Sequence, residues 1–274
     1  MRMRVIPSEI TKFVPVMQTV MFHSTIFGPI RSRRLGVSLG VNLMPDDGKI
    51  CSFDCLYCEA GYNAQGAGTT GLPSREKVKS DLEAKLAEMS GQGSPLNVIT
   101  FSGNGEPTLH PEFQGIVDDT IELRDRFYPD AKVSVLTNGT RARDPKVAAA
   151  LQRVDNNIIK IDSAVRDTMK ALDRPSDPSY GPDQAIEGIA PFADTCIVQT
   201  MLTRGSHDGR RVDNTTPAEL DALLEAYRKL KPREVMLYSL DRPTPEKSLQ
   251  KVGRDELEAF ADRIRKLGIS VQVV

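Results

Sequence analysis

Apolar residues in this chain come as short, often β-branched runs, separated by longer stretches in which they recur every three or four positions. The runs at 38–44, 97–102, 132–137, 157–162, 196–201, 234–240 and 270–273 are mostly continuous, the pattern of parallel strands covered on both faces. Between them the spacing predicts helices over 74–90, 111–127, 145–154, 163–172, 183–192, 217–230 and 254–267. The last two are also marked at their ends. Thr216, Pro217 and Glu219 make a capping box with proline at the first helical position, and Gly268 stands where the final helix must stop. Strand–helix alternation over most of the chain predicts right-handed βαβ units and an α/β fold. There are about six such units, short of the material for a complete eightfold barrel. A partial (β/α)6 barrel with mostly parallel strands fits the count, and a doubly wound open sheet is the alternative.

Composition narrows the class without naming a task. The 274 residues suit one large domain, expected over 27–274, with 1–26 as an N-terminal extension in which Met1, Met3, Met17 and Met21 are all possible starts. No run approaches the ~18 apolar residues of a membrane span, and Pro7, Glu9 and Pro15 interrupt any secretory apolar region. Basic and acidic residues number 36 and 37, which argues against a protein whose main work is gripping nucleic-acid phosphates. The basic residues are unevenly placed, however. Arg31, Arg33 and Arg34 stand together just ahead of the first strand, where they suit a carboxylate or phosphate, or else form a solvated basic face.

The chemistry gathers at the cysteines. Four are too few for a disulfide scaffold, yet three fall in Cys51-Ser-Phe-Asp-Cys55-Leu-Tyr-Cys58, on a predicted loop after the first strand. A structural zinc site and an ordinary four-iron cluster each take four ligands. Cys196, His23, His110 and His207 are the other candidates, and all are distant in sequence. Three cysteines on a four-iron cluster would leave one iron open to a small molecule. A zinc loop completed by a distant histidine, or plain reduced thiols, are the other readings.

The C-x3-C-x2-C spacing, with Tyr57 before the last cysteine, resembles the signature of radical S-adenosylmethionine (SAM) enzymes. Gly103-Asn-Gly-Glu-Pro107, after the second strand, is similar to that superfamily's strip for the methionine amino group. Phe27-Gly-Pro-Ile-Arg-Ser-Arg-Arg-Leu-Gly36 and Leu240-Asp-Arg-Pro-Thr-Pro245 resemble a narrower group, the wyosine-synthase-like Fe–S oxidoreductases. The resemblance implies a partial barrel, a [4Fe–4S] cluster on Cys51, Cys55 and Cys58, and SAM chelated to the open iron. It further implies reductive cleavage of SAM to a 5′-deoxyadenosyl radical, and hence an oxidoreductase or transferase.

On that reading Tyr57 lies beside the adenine, and Gly103, Asn104, Gly105, Glu106 and Pro107 form the amino-group strip. Gly103 and Gly105 are there so that backbone carbonyls can approach the ligand without a Cβ intervening. Asn138, ending the third strand, is expected at the SAM carboxylate, and Asp162, ending the fourth, at a ribose hydroxyl. Ser163 caps the next helix. Gln199 and Thr200 interrupt an apolar strand and must be satisfied, a ligand being one way. Lys160 either forms a Schiff base with a carbonyl substrate or snorkels outward. Cys196 packs as a small apolar residue.

The expected compartment is the cytoplasm, with a flavodoxin- or ferredoxin-type electron donor, because an open low-potential cluster needs reducing surroundings. The expected substrate is a small molecule or a protein segment. A tRNA substrate is disfavoured on two grounds. No cysteine precedes Cys51, where the wyosine synthase carries a second cluster. Asp46, Asp47, Asp54 and Glu59 flank the cysteines, with no basic residue between Cys58 and Arg75. An electron-transfer or zinc module without radical chemistry is the reading from a different class.

Overall fold

The computed structural model describes residues 20–32 and 35–274. Its strands, in chain order, are β1 (Ile26–Ser32), β2 (Gly36–Val41), β3 (Val98–Phe101), β4 (Lys132–Thr137), β5 (Asn156–Lys160), β6 (Ile197–Met201), β7 (Thr203–His207), β8 (Arg210–Asp213), β9 (Glu234–Tyr238), β10 (Gln250–Lys251) and β11 (Ser270–Val273). The helices are α1 (Arg75–Gly91), α2 (Phe113–Phe127), α3 (Pro145–Arg153), α4 (Arg166–Leu172), α5 (Pro182–Ile189), α6 (Pro217–Leu230) and α7 (Arg254–Arg265). Eight strands make one sheet in the order β1-β2-β3-β4-β5-β6-β9-β11, and β10-β7-β8 make a small second one. In the large sheet β1 runs antiparallel to β2, and every other neighbour is parallel. The six strands from β2 to β9 each lead into helix, which is the partial (β/α)6 barrel expected, with β11 as a further parallel strand.

The two faces of these strands differ. Leu39, Val41, Ile99, Phe101, Val133, Val135, Ile159, Val198, Val235 and Leu237 point one way and join Leu82, Ile116, Leu223 and Phe260 of the helices in one core. Alternate positions face the other way, and toward the starts of β2 to β5 several of these side chains are small or polar. Gly40, Thr100, Ser134 and Asn156 lie in register across four strands. Hydroxyls and amides along this inner face satisfy each other, Ser38 with Thr100 at 2.8 Å and Asn156 with Ser134 at 2.9 Å. Deeper in, Ile158, Ile197 and Met236 form a separate apolar cluster. The outer face therefore supplies burial, and the inner face leaves room.

Two expectations need correcting. The domain boundary at 27 falls too late. Val20 donates to the Glu59 carbonyl at 2.9 Å, Asn42 donates to the Thr25 carbonyl at 2.8 Å, and β1 begins at Ile26. The earlier part of the expected extension, 1–19, lies outside the described residues, as do Arg33 and Arg34. The stretch 204–211, which the apolar pattern assigns to no element, forms the β7–β8 hairpin. Its turn is Asp208-Gly209, both at positive φ, a dipeptide favoured in two-residue hairpin loops. Among the described residues no helix is long and apolar enough to cross a membrane.

Gly40 is a point where packing allows no side chain, because a Cβ there would strike the ring of Phe27. Gly40→Val should therefore evict Phe27 from the sheet and lower stability by ~1–3 kcal/mol, the usual cost of overpacking. Urea unfolding followed by circular dichroism measures it, and an unchanged midpoint would show that β1 is not seated there.

Candidate functional site

The cysteines lie on the connection from β2 to α1, at the C-terminal ends of the parallel strands, where such folds place their chemistry. That connection is fastened by its own backbone. Ile50 makes an isolated parallel bridge with Gly105. The Ile50 N–H donates to the Asn104 carbonyl at 3.2 Å, and the Glu106 N–H donates to the Ile50 carbonyl at 3.0 Å. Gly103 and Gly105 have φ of +145° and +146°, values that favour glycine. A Cβ on Gly103 would strike the Asn42 side chain, and one on Gly105 would strike the Ile50 carbonyl. The space was expected to admit a ligand, but the atoms filling it are the protein's own. The glycines let the cysteine loop dock.

One cavity of about 220 Å3 opens at this junction. Cys51, Cys55, Cys58 and Tyr57 border it from the loop. Gly103, Gly105, Glu106, Asn138, Lys160 and Gln199 border it from the strand ends. Asn104, Pro107 and Asp162 do not. The Asn104 amide is turned away, accepting from the Phe22 N–H at 2.9 Å and donating to the Phe22 and Pro45 carbonyls, each at 2.8 Å. Pro107 opens a buried turn of 3-10 helix. Asp162 is fully buried behind the cavity wall, with Oδ1 accepting from the Met201 N–H at 2.8 Å and Oδ2 from the Tyr57 hydroxyl. No ribose can reach it there.

Glu106 ties the strip to the end of β4. Its carboxylate accepts from the Thr108 N–H at 3.1 Å, the Thr108 and Thr137 hydroxyls at 2.6 Å, and the Asn138 N–H at 2.7 Å. Burial nevertheless pushes its pKa above the usual carboxylate range. Asn138 in turn donates to the Ser52 hydroxyl at 2.9 Å and lies 3.7 Å from Cys51 Sγ, while its oxygen accepts from Thr140. Asn138 thus steadies the first cysteine. Gln199 is freer, its amide meeting only Met236 Sδ at 3.6 Å.

The far wall carries buried charge. Lys160 donates to the Tyr57 hydroxyl, lies 3.4 Å from Asp162 and stands over the Tyr57 ring at 4.7 Å. Burial alone would favour its neutral amine, but Asp162 and the nearby acidic groups hold the proton, and its pKa sits well above the ordinary value. A Schiff base needs the neutral amine, which this pairing disfavours. Burial, with Glu106 close by, pushes the Cys51 thiol up to about 12, and burial likewise raises Cys55. Such thiols stay protonated on their own and release their protons to solvent when a metal binds the sulfur. Among the described residues no three His, Cys, Asp or Glu side chains close on a single ion. The three thiols border a wider space, and soft thiolates there suit an iron–sulfur group.

The remaining candidates serve the fold. Thr200 bonds the Ile161 carbonyl and the Tyr227 hydroxyl, each at 2.6 Å. Ser163 accepts from the Val165 N–H at the head of α4 and donates to Glu219. Cys196 is buried in the outer core just ahead of β6, at the opposite end of the strands from the cluster loop. His110 bonds the Pro73 carbonyl, His207 pairs with Glu246, and His23 bonds the Asp46 carbonyl. The acidic mouth is also less acidic than its sequence. Asp54 pairs with Lys49 and Arg174, Glu59 with Arg242, and Asp47 accepts from Thr69 and Thr70.

Lys49 and Asp173 were not singled out from the sequence. Lys49 is buried and donates to the Gly61 carbonyl at 2.7 Å, holding the far side of the loop. Asp173 faces Cys55 at 3.6 Å, and its carbonyl accepts from the Asp54 N–H. A lysine directly before the Ile-Cys pair was the available signal for the first. Nothing in the sequence near Asp173 points back across the chain to Cys55.

The family model of the Radical SAM superfamily matches residues 47–203, from the cysteine loop through β6. The chain belongs to the radical SAM superfamily. It is an enzyme of the class that uses SAM and an iron–sulfur cluster. A UPF0026 protein of Helicobacter pylori strain J99 is 31% identical over 238 residues, covering 85% of this chain and 71% of that one, so the chain belongs to the UPF0026 family as well. A radical SAM methyltransferase from Sphaerobacter thermophilus superposes with a TM-score of 0.61 at 19% identity, over 86% of this chain and 65% of that structure. TYW1 with a lysine–pyruvate adduct bound superposes at 0.53 and 14% identity, over 84% of this chain and 73% of that one.

Because the Gly105 position is filled by the Ile50 carbonyl, Gly105→Val should displace Cys51. Iron and sulfide content after anaerobic reconstitution should fall to a small fraction of wild type while the circular dichroism spectrum stays native. Full iron content in that variant would show that the bridge does not position the cysteine.

Proposed function

We propose that Cys51, Cys55 and Cys58 hold a [4Fe–4S] cluster and that SAM lies over the 103–106 strip, the enzyme acting on a small molecule or a protein segment rather than on tRNA. The observation that carries this reading is that three thiols and a strand end some fifty positions away in sequence border the same cavity. When bound, the cluster and SAM supply one-electron cleavage of the sulfonium and a carbon radical able to take hydrogen from a substrate.

The chain's own residues have distinct parts in this. Three cysteine ligands leave one iron for the amino acid end of SAM. The Glu106 oxygen that receives only the Asn138 N–H keeps a lone pair for an ammonium. The Tyr57 ring is held rigid by its hydroxyl contacts to Asp162 and Lys160, which suits a fixed wall for the adenine. The Lys160 ammonium brings a positive charge to the cavity rim for a carboxylate. A flavodoxin- or ferredoxin-type protein is the proposed electron donor and the cytoplasm the proposed compartment, since thiolate ligands and an open iron both require reducing conditions.

Iron analysis and EPR test the proposal together. The triple variant Cys51→Ala, Cys55→Ala, Cys58→Ala should hold no cluster, Cys196→Ala should hold a full one, and SAM should shift the EPR signal of the reduced wild-type cluster. Loss of the cluster in Cys196→Ala, or no shift with SAM, refutes the assignment.

Lys160 is the lysine that borders the cavity, and its pairing with Asp162 disfavours the neutral amine that an adduct with a carbonyl compound needs. Borohydride reduction in the presence of pyruvate should accordingly leave the intact mass unchanged at neutral pH. A trapped adduct on Lys160 would restore carbonyl chemistry and the wyosine-type reading.

A further inference from the structure

We propose that the substrate is a small anionic molecule, a carboxylate or a phosphate monoester, whose charged end Arg31 holds in a second cavity on the inner face of the sheet. The inference rests on the reading above, in which SAM takes the cavity at the cysteines. The second cavity has a volume of about 230 Å3 and shares Ser102, Leu136 and Gln199 with the first. These three residues border both spaces. Neither space alone reaches the ~300 Å3 at which ordinary ligand sites begin, but joined they do. A ligand in the second cavity would lie directly against one in the first.

The walls state the chemistry. On one side Phe22 and Phe27 stack with centroids 3.7 Å apart and planes at 20°, Phe27 seated on Gly40. The Ser38 and Thr100 hydroxyls lie at the floor. Among the described residues, the ionisable groups that border the cavity are Arg31, Arg242 and Glu59. Arg242 and Glu59 neutralise each other as an ion pair. Arg31 has no ion pair and no hydrogen bond among the described residues. Among the described residues that border the cavity, Arg31 thus offers an unpaired, exposed guanidinium at the rim, a planar fork of donors that matches an oxyanion. The Ser38 and Thr100 hydroxyls on the wall offer polar contact, and Leu136, Ile158 and Met236 apolar contact, to the rest of a small molecule. Asn104 fits this reading, because its amide fixes Phe22 and so holds the aromatic wall in place.

The test uses the reconstituted holoprotein with SAM and two probe pairs in equilibrium dialysis, malate against its neutral diamide and glycerol 3-phosphate against glycerol. At least one anion should bind and its neutral counterpart should not, and the two arms tell a carboxylate preference from a phosphate one. Arg31→Gln should weaken that binding roughly tenfold or more, and Arg31→Lys should recover part of it. Binding of neither anion, equal binding of the neutral counterparts, or undiminished binding by Arg31→Gln overturns the inference. The EPR shift with SAM, read on the same samples, separates the two proposals. Its absence in wild type refutes the cluster and SAM reading, whereas a normal shift without Arg31-dependent binding refutes only the anionic substrate.

Discussion

Two backbone hydrogen bonds between Ile50 and the 103–106 strip decide whether this protein has a site at all. The cysteines sit on a connection far longer than the ~2–6 residues usual for a βα loop, and its ends alone cannot order its middle. The bridge at Gly105 pins it immediately before Cys51, and the circuit then closes on itself. Glu106 grips Asn138 at the end of β4, and Asn138 returns to Ser52 and Cys51. The bonds at Glu106 are buried and those to Ser52 and Cys51 partly so, and at Glu106 a missing partner would leave a dry polar group behind. Glycine is required at the crossing because two backbones approach more closely there than any side chain allows.

A second constraint is the division of labour between the faces of the sheet. All the large aliphatic residues of the outer face are committed to the helices, and this burial supplies most of what holds the fold. The inner face can then carry serine, threonine, glycine and asparagine without loss of the core. Those residues pair among themselves and leave space at the strand ends. At the far wall the buried charges answer one another, Lys160, Asp162 and Tyr57 forming one set of contacts.

What the sequence made legible follows from these two facts. The parallel strands were readable because their outer residues form apolar runs, and the cysteines because their spacing is local. Glu106 and Gln199 were readable as polar residues in places where a strand end or a buried strand demands a reason. Asn104 and Asp162 were misread because residue type and position at a strand end give a chemistry but no direction. The Asn104 amide points to Phe22, and Asp162 is captured by the Met201 N–H and by Tyr57. Lys49 and Asp173 were invisible for a different reason. Their partners, Gly61, Asp54 and Cys55, become neighbours only once the loop is docked. The β7–β8 hairpin hid because its strands are polar, although Asp208-Gly209 marked the turn.

The placement of Asn104 also bears on how the two cavities stay in register. Through its carbonyl it accepts from Ile50 and so helps to hold the cysteine loop, while through its side chain it holds both backbone groups of Phe22. A glycine at this position would keep the first function and lose the second. The segment from Val20 to β1 is therefore fixed to the same strand end as the cysteines, and the aromatic wall that it carries cannot shift without moving the strip. Phe22, Phe27 and Arg31 all belong to that segment. The wall of the second cavity is thus held relative to the thiols by Asn104 together with the pairing of β1 to β2, and fixed geometry between neighbouring spaces is what selects one bond of a bound molecule over another.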